Sequence, residues 1–124
     1  MKQNLYKIFY NPRCSKSREA LKLLKSKTTN YKVIKYLEVG IDENELLSII
    51  KSKDISKDDL IRKNEITFKS LNVSKIELNK NEIKKLIIEN PILLQRPLIT
   101  KYIDGLLVKS VIGRPPEAVN TLFN

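Results

Sequence analysis

The sequence predicts an α/β fold: a mixed parallel and antiparallel four-stranded sheet with a helical insertion. Three observations predict it. A β-type segment, an amphipathic segment and a second β-type segment open the chain, which is the pattern that pairs parallel strands. Apolar residues then recur at helical spacing through the middle. Near the end, two short β-type runs flank Asp104-Gly105, a strong hairpin signal that adds an antiparallel pair.

Each element has a local reason. Leu5 to Tyr10 is aromatic and β-branched enough for a strand, and Asn11-Pro12 breaks it. From Ser15 to Ser26, Ala20, Leu21 and Leu24 share one helical face, with Lys and Arg opposite. Cys14 therefore lies at a helix N-terminus. Tyr31 to Leu37 reads as the second strand. Asp42 with Glu45 has the spacing of a capping box ahead of Leu46, Leu47, Ile49 and Ile50, and a shorter helical patch covers Ser56 to Arg62. Asn79 with Glu82 caps another helix carrying Ile83, Leu86, Ile87 and Ile88, which Pro91 helps to end. Pro97 to Thr100 and Leu106 to Lys109 form the hairpin strands. Arg114-Pro115-Pro116-Glu117 starts a final helix through Val119 and Leu122, with proline in its first turn. This order is that of a thioredoxin-like domain, one domain over 1–124 with a mostly helical insertion at about residues 40–90.

Composition fits a folded chain. With 124 residues, 41% hydrophobic and 31% charged, it can bury a core without disulfide staples. No apolar stretch approaches the 18 residues of a membrane span, and no small-residue cleavage site follows the N-terminal apolar run, so a cytoplasmic setting is expected. The formal charge of +10 invites a nucleic-acid reading. The lysines are nevertheless spread along the whole chain among abundant Asn and Ile, the pattern of solvated faces, so no nucleic-acid partner is expected. Only five of the 24 basic residues are arginine (13, 18, 62, 96 and 114). In a chain where Lys is the default cation, an Arg points to its planar, bidentate fork, which matches an oxyanion.

The chain has one cysteine and no histidine, which removes an internal disulfide and makes a metal site unexpected. Cys14 sits in Asn11-Pro12-Arg13-Cys14-Ser15-Lys16-Ser17-Arg18. A helix N-terminus with Arg13, Lys16 and Arg18 beside it favours a thiolate, and Ser17 stands one turn along, able to donate to the sulfur. Ser17 offers no second thiol, so a reaction at Cys14 must draw its reductant from elsewhere.

Four blocks, Tyr10 to Arg18, Leu60-Ile-Arg-Lys-Asn-Glu65, Glu89 to Ile99 and Ile112-Gly-Arg-Pro-Pro-Glu117, together resemble the glutaredoxin-dependent arsenate reductases, in family order and over nearly the whole chain. The resemblance implies a thioredoxin-like fold and a cysteine thiolate that attacks arsenate to form a covalent adduct. Glutathione then acts as co-substrate, and glutaredoxin reduces the resulting mixed disulfide. It implies Cys14 as nucleophile, Arg62, Arg96 and Arg114 as ligands of arsenate or a similar oxyanion, and a cis bond at Pro97 that places its loop beside the cysteine. No tightly bound cofactor is implied, and a monomer is expected. Characterised relatives often carry histidine where this chain has Tyr10, so activation of Cys14 here must rest on Arg13, Lys16, Arg18, Ser17 and the helix end.

Two other readings share these residues. One is a general glutathione-linked thiol reductase, with the arginines holding glutathione carboxylates. The other is a regulator similar to Spx, which has the same fold and an Arg-Pro segment and binds RNA polymerase. Its redox switch generally needs Cys-x-x-Cys, which Ser17 denies here.

Overall fold

A computed structural model describes residues 3–71 and 78–123. The chain divides into two compact units, Met1–Val39 with Arg96–Asn124, and Gly40–Gln95.

The first unit holds the sheet. Strands β1 (Asn4–Phe9), β2 (Tyr31–Ile34), β3 (Leu98–Ile103) and β4 (Leu106–Ile112) lie in the order β2-β1-β3-β4. β1 runs parallel to β2, with Tyr6 opposite Tyr31, and antiparallel to β3, with Ile8 opposite Ile99. β3 and β4 form the expected hairpin. Its two turn residues both adopt positive φ, +51° at Asp104 and +83° at Gly105, the conformation that matches the twist of the strands it joins. The sheet is mixed, with one parallel pair, and the fold is the expected thioredoxin-like one.

Helix α1 (Ser15–Lys27) and a terminal 3-10 helix (Pro116–Phe123) pack on one another beside the sheet. Tyr6 and Ile8 from β1, Ile99 from β3, Ala20 and Leu24 from α1, and Val119 and Leu122 from the 3-10 helix form one buried cluster. Two lysines fasten the 3-10 helix. Lys101 and Lys109 face each other across the hairpin, yet each ammonium donates to a late backbone carbonyl, Leu122 at 3.0 Å and Thr121 at 3.1 Å. The like charges are thus each set against the negative end of a helix. Phe123 stacks on Tyr6 with ring centroids 4.6 Å apart.

Several bounds differ from the sequence expectation. β2 stops at Ile34, and Tyr36–Val39 is a short helix, α2, in place of the continued strand. The N–H groups of Glu38 and Val39 both turn back to the Lys35 carbonyl, and Gly40 follows with φ +77°. β3 and β4 run past the expected stretches to Ile103 and Ile112, because ladder pairing carries Tyr102 and Ser110 regardless of the local apolar pattern. The last helix is 3-10 throughout.

The second unit is mostly helical. α3 (Glu43–Ser52) starts where Asp42 accepts the Glu45 N–H at 2.8 Å. α6 (Lys80–Glu89) starts at a complete capping box, in which Asn79 and Glu82 bond each other's backbone N–H. α4 (Lys57–Leu60) is shorter than expected, because Ile61 leaves the helix to bridge Leu94. α5 (Ile66–Ser70) was not anticipated from the sequence. Pro91 opens a 3-10 turn, Pro91–Leu93, that packs on α6, and α6 packs on α3. Residues 72–77, which fall within the stretch read as the helical insertion, lie outside the described residues.

Candidate active site

β1 ends at Phe9, and the turn that follows delivers Cys14 to the N-cap position of α1. Asn11 shapes this turn. Its carbonyl accepts the Cys14 N–H at 2.9 Å and its Oδ1 accepts the Arg13 N–H at 3.0 Å. Its own N–H points to Ser17 Oγ at 3.4 Å. Ser17 is fully buried, so its hydroxyl, having accepted from Asn11, has its proton left for the sulfur.

Cys14 is 7% exposed and forms no disulfide. Burial pushes its pKa up, but the Ser17 N–H and hydroxyl, the Arg96 charge and the Lys16 N–H together outweigh burial, and the net result is a pKa below the ordinary cysteine value. The polar partners thus favour the thiolate, the nucleophilic form of a cysteine, against the opposing effect of burial.

The cations come from the far end of the chain. Arg114 Nη2 stands 3.9 Å from Cys14 Sγ, and Arg114 Nε donates to the Arg96 carbonyl at 2.7 Å. The Arg96-Pro97 bond is cis, as the family resemblance implied, and so is Arg114-Pro115. Arg96 is half-buried and Arg114 is exposed.

The remaining arginines stand differently. Arg18 is exposed and its Nη1 braces the turn through the Pro12 carbonyl at 2.8 Å. Arg13 is also exposed. Lys16 places its ammonium 3.7 Å from Glu19, so what it gives the thiolate is its backbone N–H. Arg62 belongs to the helical unit, where its guanidinium lies 3.0 Å from Glu65 and donates to the Ile92 carbonyl at 3.1 Å. Local sequence reasoning expects the charge on Cys14 from Arg13, Lys16 and Arg18, whereas in the structure the Arg96 charge lowers its pKa and Arg114 stands 3.9 Å from the sulfur. The run of Arg96 into Pro97 was the available signal. Asn11 does more than break the strand, since its side chain closes a turn onto the Arg13 N–H two residues on, a geometry that Asn favours.

Residues 9–122 match the model of the ArsC family. The chain belongs to the ArsC family. An arsenate reductase of Haemophilus influenzae is 41% identical over 115 residues, covering 90% of this ArsC-family chain and 93% of the relative. The uncharacterized protein YfgD of Escherichia coli is 39% identical over 114 residues, covering 91% and 92%. Among solved structures, an arsenate reductase from Vibrio cholerae superposes with a TM-score of 0.79 at 32% identity, covering 94% of this ArsC-family chain and 95% of that one. Among the described residues no helix is long and apolar enough to cross a membrane, and no group of His, Cys, Asp or Glu could hold a metal ion.

Proposed function

We propose that this chain is an arsenate reductase of the cytoplasm, with Cys14 as nucleophile and Arg96 and Arg114 as the oxyanion ligands. The observation that carries the reading is a sulfur with a lowered pKa that has a guanidinium nitrogen 3.9 Å away. A thiolate needs a nearby cation to meet an anionic substrate, and arginine serves the nucleophile and the tetrahedral oxygens with one planar group.

The Cys14 thiolate attacks arsenic(V), an S–As bond forms, and an arsenic oxygen leaves as water after protonation. The arginines stabilise the charge that gathers on the oxygens. Glutathione thiolate then attacks the Cys14 sulfur. The S–As electron pair stays with arsenic, which departs as arsenite, arsenic(III), while Cys14 and glutathione are joined in a mixed disulfide. Glutaredoxin thiols reduce that disulfide and restore the thiolate. With no second cysteine in the chain, the electrons come from outside. Arg62 is assigned to the anion on family resemblance alone.

The test is a coupled assay with glutathione, glutaredoxin, glutathione reductase and NADPH, offering arsenate in one arm and a glutathione mixed disulfide in the other. Arsenate-dependent NADPH oxidation that disappears in Cys14→Ser is expected. No arsenate-dependent rate would sink the reading, and turnover confined to the mixed disulfide would replace it with the general thiol reductase.

A further inference from the structure

Of the three glycines, Gly40 and Gly105 have open space where a side chain would begin, and both have positive φ. Gly113 is different. A Cβ built there would stand 2.7 Å from Pro97 Cγ, 3.1 Å from Ile99 Cδ1 and 3.2 Å from Ala20 Cβ. The first distance is one that real Cβ atoms essentially never show, and the atom it meets belongs to a ring tied to the backbone, which can give way only by a change of pucker. Gly113 is needed here for close approach, not for a special backbone angle.

Regular β3–β4 pairing ends at Leu98 opposite Ile112. Beyond it, the Gly113 N–H donates to the Pro97 carbonyl at 2.8 Å, and Arg114 Nε donates to the Arg96 carbonyl at 2.7 Å. Consecutive donors on one segment hold consecutive carbonyls on the other. The two residues so clamped, Arg96 and Arg114, are the ones that bring positive charge to Cys14.

We propose that Gly113 is a positioning residue for the oxyanion site: its missing side chain lets the end of β4 close on Pro97, and that closure sets where both guanidiniums stand relative to Cys14. The inference rests on the reading of Cys14, Arg96 and Arg114 as one anion site. A methyl at position 113 forces the two segments apart, lengthens both hydrogen bonds and draws Arg114 Nη2 off the sulfur. Displacements on this scale cost catalytic sites about tenfold to a hundredfold.

The experiment is Gly113→Ala, characterised by thermal melting, by the pH midpoint of Cys14 alkylation, by protection of Cys14 from alkylation by sulfate, and by arsenate kinetics. We expect a folded variant whose alkylation midpoint moves up toward the ordinary cysteine value, whose sulfate protection weakens by about tenfold, and whose KM for arsenate rises more than kcat falls. A merely structural glycine would lower the melting temperature and leave midpoint, sulfate protection and KM unchanged, which would overturn the proposal. Should the variant not fold, amide exchange in the wild-type protein decides. Slow exchange of the Gly113 N–H and the Arg114 Nε–H supports the clamp, and exchange at the rate of free groups overturns it. A wild-type protein that reduces no arsenate would remove the functional reading while leaving the alkylation and sulfate measurements to judge Gly113.

Discussion

The Nη2 of Arg114 lies 3.9 Å from the sulfur of Cys14 although 100 positions separate the two residues in sequence. Arg114 also bonds the Arg96 carbonyl through Nε, so one guanidinium serves both the sulfur and the loop that carries the second cation. Lysine can fill only one of these roles. Arg114→Lys is expected to lower kcat/KM for arsenate by about tenfold or more, the loss of one charge-assisted hydrogen bond, and Arg96→Lys by a similar factor. Wild-type kinetics in both variants would remove the arginines from the anion site.

The lowered pKa of Cys14 makes stability depend on pH. Between the folded and the unfolded pKa, the native chain has lost its thiol proton while the unfolded chain still holds one. Unfolding then takes up a proton, and stability rises with pH across that window. The contribution is complete above the ordinary cysteine value of about 8.5 and is lost as pH falls through the lowered pKa. Denaturant unfolding of the wild type and Cys14→Ser from about pH 5 to about pH 10 should give a difference that grows upward through the window and then levels off. A flat difference would mean that the thiol is unperturbed.

Ser17 acts on both stability and the thiol. Its buried hydroxyl accepts from Asn11 and supports the thiolate. Ser17→Ala should cost about 1 kcal/mol in urea unfolding, since the Asn11 N–H loses its partner. It should also move the alkylation midpoint of Cys14 upward. Retained stability together with an unshifted midpoint would show that the hydroxyl does neither.

Thr100 is fully buried on β3, opposite Ser110, and its Oγ1 has no hydrogen-bond partner among the described residues. A buried hydroxyl without a partner bears its desolvation cost uncompensated. Thr100→Val should therefore raise stability, by about 1 kcal/mol, with no change in activity. A loss of stability on thermal melting would mean that the hydroxyl is bonded in solution.

Where local chemistry decides, the sequence was legible. The capping pair Asn79 and Glu82, the Asp104-Gly105 turn and the amphipathic stretch after Cys14 each specify their geometry within a few residues. Tyr36 and Leu37 depart from the expected strand because their β propensity says nothing of the backbone turn onto the Lys35 carbonyl. The sulfur and Ser17 were legible for the same local reason. The origin of the positive charge was not, since Arg13 and Arg18 are neighbours in sequence yet exposed, whereas Arg96 reaches Cys14 through the β1–β3 pairing. The family resemblance points there, and the scarcity of arginine in a lysine-rich chain only hints at it.

The sheet order also divides the site by mechanical security. Cys14 follows β1, which is hydrogen-bonded on both sides, whereas Arg114 follows β4, an edge strand held on one side alone. Edge strands open at lower free energy than interior ones. Warming or mild denaturant is therefore expected to loosen Arg114 before Cys14, so that the proposed anion site weakens while the thiol still stands on an intact platform.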